Sequence, residues 1–102
     1  MSTLHTVNKS PFGNGALLSC LQHCKPGDAV LLVEDGVYGA LSGSSVADEV
    51  AASIGEISLY VLAGDISARG IEGSKMVTGA EAVGYDGFVD LVAEHDRTQS
   101  WL

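Results

Sequence analysis

The stretch Gly27-Asp-Ala-Val-Leu-Leu-Val-Glu-Asp-Gly36 decides the fold. Its centre, Ala29 to Val33, is a run of apolar residues with no polar alternation. A strand with one wet face alternates apolar and polar side chains. A continuous run marks a strand buried on both faces, as in a parallel sheet covered by helices. No apolar run in the chain is longer, so none approaches the length of a membrane span.

Working outward, Pro26-Gly27 closes a helical pattern over Gly15 to Cys24. The loop Asn8 to Asn14 precedes that helix, with Ser10 or Asn14 as expected N-cap, and a short strand, Leu4 to Val7, precedes the loop. On the other side, a glycine-containing stretch (Val37 to Ser44) leads to a helix over Val46 to Ile54. Ser45 is its expected N-cap and Gly55 its expected terminator. A third strand is expected over Ile57 to Leu62 and a helical turn over Asp65 to Arg69. A fourth strand is expected near Glu81 to Gly84, and a last helix capped by Asp86 runs to Glu94. Phe88, Val89, Leu91 and Val92 are expected to form its buried face, and Asp96 to Leu102 an edge strand. Strands alternating with helices through short loops imply an α/β, three-layer arrangement, a parallel sheet flanked by helices. At 102 residues the chain is expected to be one domain, 1–102.

Composition narrows the function. With 5 basic against 13 acidic residues the formal charge is -8, which opposes docking on nucleic-acid phosphates or on an anionic membrane. The charged fraction is 18%, below the roughly 25% typical of soluble domains, while 46% of residues are hydrophobic. Apolar surface left over on so small a domain points to a subunit of an assembly. The N-terminus has no signal-peptide pattern, so a reducing cytosol is expected for the cysteines.

Cys20 and Cys24 are the only cysteines. On a helical wheel Leu17, Leu21 and Cys24 cluster, with Cys20 at the rim of the apolar stripe. Cys24 is thus expected to be an inert core residue and Cys20 the thiol that meets solvent or a partner. Cys20 lies past the middle of its helix, away from the N-terminal dipole, and His23 and Lys25 are the nearby sources of positive charge. Four residues apart on one helix, the pair is near the outer limit of disulfide geometry.

His5, His23 and His95 could join the cysteines around a metal, but CxxxC within a helix is not the CxxC knuckle of structural zinc, and no metal or cofactor is expected. Glu34-Asp35 reads as a solvated turn rather than an acid–base pair. Asp35, Asp65 and Lys75 do not fall in the order of a phosphoacceptor pocket, and Gly64-Asp65 and Ala68-Arg69-Gly70 carry no phosphate-loop pattern; Arg69 is expected to tie down its loop.

Taken together, His5 to Phe12 (HTVNKSPF), Gly27 to Leu41 (GDAVLLVEDGVYGAL), Asp65 to Ile71 (DISARGI) and Tyr85 to His95 (YDGFVDLVAEH) with the terminal QSWL resemble the DsrH/TusB family of sulfur-relay proteins. The resemblance covers essentially the whole chain. It implies a DsrE-like fold and assembly with DsrE/DsrF or TusD/TusC paralogues as a dimer of heterotrimers. It also implies passage of persulfide sulfur to a DsrC/TusE-type carrier. DsrH-like members carry a cysteine where Cys20 stands, whereas TusB-like ones generally lack it. Cys20 is therefore the candidate persulfide residue. On that reading the chain is the DsrH subunit of a DsrEFH sulfurtransferase in dissimilatory sulfur oxidation. The alternatives are a TusB-like subunit serving 2-thiolation of the tRNA wobble uridine, or a non-catalytic structural subunit. Cys24 lies outside the family pattern, and the family's principal persulfide cysteine belongs to the DsrE/TusD partner.

Overall fold

A computed structural model describes residues 2–102. Five strands, β1 (Thr3–Val7), β2 (Ala29–Leu32), β3 (Ser58–Leu62), β4 (Glu81–Val83) and β5 (Arg97–Trp101), form one sheet in the order β4-β3-β2-β1-β5. All neighbours are parallel. The apolar run at 29–33 does what its pattern implies: all four residues of β2 are buried, in the middle of the sheet. Four helices, α1 (Ala16–His23), α2 (Ala47–Ser53), α3 (Ala63–Ala68) and α4 (Tyr85–Glu94), make the connections. Among the described residues no helix is long and apolar enough to cross a membrane.

The two faces of the sheet are covered unequally. On one, Leu17 and Cys20 of α1 and Val50 of α2 pack with Val37, Ile57 and Ile66 on Val7, Val30, Leu32, Leu59 and Val61. On the other, only Leu4, Ala29, Leu31 and Leu91 form a fully buried group, bordered by Val33, Tyr60, Val83 and Phe88. The helix over this second face is α4, which crosses from edge strand β4 to the opposite edge strand β5. Leu91 is its one buried residue, and Val89 and Val92 are 60% and 42% exposed. The expectation that both valines belong to the buried face therefore fails, because a single helix cannot cover five strands. Its leftover apolar side chains, with Tyr85 at 75% exposure, lie open.

Local details depart from sequence expectation mainly at helix starts. Val46, not Ser45, is the N-cap of α2, and the first turn is closed by the backbone, Ala47 N–H donating to the Ser44 carbonyl at 3.2 Å. Gly84 rather than Asp86 caps α4, leaving Asp86 in the first turn where its charge complements the helix dipole. Asn14 does accept a hydrogen bond from Ala16 N–H at 2.7 Å, just before the Gly15 cap of α1. The glycine-containing stretch after β2 winds as a 3-10 segment, Glu34–Ala40. It passes so close to the end of β1 that a Cβ on Gly36 would sit 2.1 Å from the Val7 carbonyl oxygen.

At that end of the sheet, Glu34 takes a positive φ of 49° and its N–H donates to Asp65 Oδ2 at 2.7 Å. Arg69 reaches Asp35 at 2.9 Å and Asp65 at 3.7 Å. The acidic residues at the strand ends are thus tied together by one guanidinium, which is the loop-fastening role expected of Arg69.

A thiol and imidazole cluster as the candidate functional site

Alternation along β1 sends His5 to the same face of the sheet as Val7, under α1. There His5 is 5% exposed, and Asp28, at the turn into β2, is 4% exposed. Their side chains meet through His5 Nε2 and Asp28 Oδ2 at 2.9 Å. Trp101, on the neighbouring strand β5, donates its indole N–H to His5 Nδ1 at 3.0 Å. An indole nitrogen is a donor only, so Nδ1 carries the lone pair and Nε2 carries the proton given to Asp28. The imidazole is fixed in one tautomer.

Asp28 is held in turn by the backbone. Its Oδ1 accepts from Thr3 N–H at 3.0 Å and its Oδ2 from Lys25 N–H at 3.1 Å. Burial by itself raises the pKa of this carboxyl, but the hydrogen bonds from His5, Lys25 and Thr3 outweigh it and hold the group below the ordinary 3.8. One carboxylate therefore joins the start of β1, the end of α1 and the start of β2.

The cysteines complete the site. Both sulfurs and a ring nitrogen of His5 lie within 4.8 Å of one another. The exposures expected of the two thiols are reversed: Cys20 is 0% exposed, while Cys24 is partly exposed. The reason is the orientation of α1. Its buried edge runs through Leu17 and Cys20, with Leu21 and Leu18 half-covered on the Leu17 side. The helix also ends at His23, and Cys24 is its C-cap in extended conformation, with ψ of 146°. A wheel continued through Cys24 extends the helical period past the point where the helix stops.

The thiols differ electrostatically as well. The hydrogen bond with Cys24 raises the Cys20 thiol far above its usual range, and burial and the nearby Cys24 and Asp28 charges add to this. The same hydrogen bond lowers Cys24 below the ordinary 9.0, against the opposing effect of burial. Cys24 is the sulfur that ionises first, with Cys20 S–H as donor to its thiolate. Beside the cluster a cavity of about 630 Å³ opens at the β5 edge, lined by His5, His23, Asp28 and Trp101 among others. The His23 and Trp101 rings lie 5.4 Å apart along it.

Of the residues weighed in the sequence, the structure brings together Cys20, Cys24 and His5 and leaves His95 elsewhere, its Nδ1 bonded to the Leu91 carbonyl at 2.7 Å. Asp28 and Trp101 were missed. Their signal is the register of the parallel ladders, which sets Leu4 beside Ala29, the residue after Asp28, and Val7 beside Trp101. No local spacing in the sequence announces it.

Comparison with known proteins places this site in context. A family model described as "DsrH like protein" matches residues 9–98. The chain is 35% identical over 98 residues to Protein TusB of Pectobacterium carotovorum subsp. carotovorum (strain PC1), covering 96% of this chain and 99% of that protein. It is 37% identical over 98 residues, with the same coverage, to Protein TusB of Erwinia tasmaniensis. Among solved structures, the ychN protein from E. coli aligns with a TM-score of 0.76 at 16% identity, over 98% of this chain and 99% of that one. The MTH1491 protein from Methanobacterium thermoautotrophicum aligns with a TM-score of 0.78 at 14% identity, over 97% and 96%. At these identities the two structures speak to the fold, and they agree with the parallel, helix-flanked sheet.

Proposed function

The chain belongs to the DsrH-like family, and from that premise we propose that it is a TusB-type subunit of a multi-protein sulfur relay serving 2-thiolation of the tRNA wobble uridine. The observation that carries this reading is end-to-end likeness to proteins named TusB. Cys20 alone points to the sulfur-oxidation branch, but one residue weighs less than similarity spread over 96% of the chain. The partners in this reading are TusD-like and TusC-like paralogues in a dimer of heterotrimers, with a TusE-type carrier, in the cytoplasm. The open apolar side of α4, with Tyr85, Val89 and Val92, supports subunit contact. The net charge of -8 supports a chain that leaves tRNA to another protein.

Within the relay the role expected of Cys20 passes to Cys24, the thiol that is both partly exposed and the easier to ionise. Its thiolate attacks the outer sulfur of a donor persulfide and expels the donor thiolate. The Cys24 persulfide then yields its outer sulfur to an acceptor thiolate, and the Cys24 thiolate returns. Cys20 stays buried as a hydrogen-bond donor. A structural-subunit reading, with both cysteines as spectators, is favoured by the complete enclosure of Cys20.

The test replaces the resident TusB of Pectobacterium carotovorum with this chain and measures 2-thiouridine in hydrolysed tRNA. Restored thiolation is the expected result; no thiolation in cells where the chain co-purifies with the host subunits overturns the assignment. Cys24→Ser and Cys20→Ser separate the chemical readings. Loss in Cys24→Ser with assembly intact supports sulfur passage through Cys24, and full activity in both variants establishes the structural reading.

A further inference from the structure

We propose that His5, Cys20 and Cys24 form a zinc-binding site, with both sulfurs as thiolates and His5 Nδ1 as the third ligand. The two sulfurs and a ring nitrogen of His5, atoms of the types zinc prefers, already lie within 4.8 Å of one another. Because Nε2 is committed to Asp28 at 2.9 Å, Nδ1 is the nitrogen assigned to the metal. Zinc bonds of about 2.3 Å to sulfur and 2.0 Å to nitrogen place tetrahedral ligand atoms roughly 3.3–3.8 Å apart. Closing the cluster therefore takes side-chain shifts of about 1 Å, within reach of the rotamers of a partly exposed Cys24.

The ligands come from two elements that the fold fixes, β1 for His5 and the end of α1 for the cysteines. The remaining nitrogen of His5 is already engaged as a metal-bound histidine requires, Nε2–H donating to Asp28 at 2.9 Å. That carboxylate–histidine arrangement fixes the tautomer and makes Nδ1 the more basic ligand. Trp101 N–H occupies Nδ1 in the metal-free protein. It is half-buried on edge strand β5, whose other residues are exposed, so it is the group that yields.

The binding step is balanced. Zinc enters, both thiol protons leave to solvent, and the indole N–H gives up His5 Nδ1. Three protein ligands leave the fourth tetrahedral position to an outside donor. Charge favours zinc over copper(I): two thiolates neutralise a divalent ion, whereas a monovalent one leaves a net negative charge buried beside Asp28. The inference stands on this geometry and needs no sulfur transfer, although a metal on both thiolates and a persulfide on Cys24 exclude one another.

The full chain, reduced and metal-free under anaerobic conditions, is titrated with zinc against a chromophoric chelator, and stoichiometry is read by native mass spectrometry. One zinc per chain is expected, together with a change in the emission of Trp101, the only tryptophan. Cobalt(II) in place of zinc should show thiolate-to-metal charge-transfer absorption. Cys24→Ser lies at a half-exposed position and should lower affinity by 100-fold or more, roughly the share of one thiolate ligand. Asp28→Asn should lower it roughly 10–100-fold through the carboxylate that orients His5, and His95→Gln, remote from the cluster, should leave it unchanged. Circular dichroism verifies the fold of each variant. Binding weaker than roughly micromolar (about -8 kcal/mol), binding of copper(I) alone, or undiminished zinc binding by folded Cys24→Ser overturns the inference. Failure here leaves the thiouridine result untouched, so the two readings fall separately.

Discussion

Replacing Asp28 by alanine tests whether one buried carboxylate fastens the sheet to α1. The side chain accepts from Thr3 N–H at 3.0 Å, Lys25 N–H at 3.1 Å and His5 Nε2–H at 2.9 Å. A hydrogen bond to a charged acceptor contributes about 1.5–3 kcal/mol net. Lys25 is exposed, so water can replace its partner, whereas Thr3 and His5 are 9% and 5% exposed and their donors have little access to water. Two stranded donors set the loss at about 3–5 kcal/mol, a large share of the roughly 5–15 kcal/mol that stabilises a domain. Asp28→Asn keeps an acceptor oxygen and the shape and loses the charge, so it should cost less, about 1–2 kcal/mol.

Urea unfolding followed by far-ultraviolet circular dichroism reads both values. With a slope near 1–2 kcal/mol per molar, Asp28→Ala should lower the midpoint by about 2 M or more. The pH dependence supplies an independent sign. The folded pKa lies below the unfolded value. The stabilisation is therefore fully present above the unfolded pKa, near 4, and is lost as pH falls through the folded pKa. Wild type should lose this increment on acidification below about pH 4, and Asp28→Asn should lack that component. A loss under about 1 kcal/mol for Asp28→Ala, or acid profiles of wild type and Asp28→Asn that superimpose, refutes the reasoning.

Three further outcomes follow from packing and thiol chemistry. Gly36→Ala places a Cβ 2.1 Å from the backbone oxygen of Val7, so thermal melting should show a loss of about 3 kcal/mol or more; Gly64→Ala, with open space at its Cβ, should stay near neutral. Under brief alkylation, fragment-ion mass spectrometry should find the label on Cys24 before Cys20, with a rate that rises through a pKa below 9.0, and Cys20→Ala should move that inflection upward by removing the S–H donor. Leu91→Ala should cost about 3 kcal/mol in denaturant unfolding, since no other α4 residue is buried, while Val89→Ser should leave the isolated chain's stability nearly unchanged and weaken assembly.

The sheet was legible because burial leaves a pattern that a strand can show by itself. The run at 29–33 identifies a doubly covered strand, and β1, β3, β4 and β5 fall within a residue or two of their expected positions. The helix starts were less legible, since backbone bonds rather than side-chain caps close the first turn of α2. The unequal covering of the sheet was not legible at all. Four apolar residues on α4 read as one buried face, yet how much sheet that helix must cover depends on its crossing from β4 to β5, which no helix-local pattern reports.

The cysteines show the same limit at the site. Periodicity ranks the residues of a helix around its axis, but it does not say which direction the sheet lies in, nor where the helix ends. Two small departures suffice to exchange the thiols: the buried edge runs through Leu17 and Cys20, and the last helical residue is His23. With Cys20 enclosed beside Cys24, hydrogen bonding between the two thiols is the largest cause that drives their pKa values apart. Neither thiol owes its character to His23 or Lys25, the cations nearest in sequence. It comes from a neighbouring thiol and from burial between α1 and the sheet, with His5 brought in from a strand that ends thirteen residues before Cys20. Chemistry assembled across a parallel sheet is set by register, and register is the one quantity that a single strand's sequence does not contain.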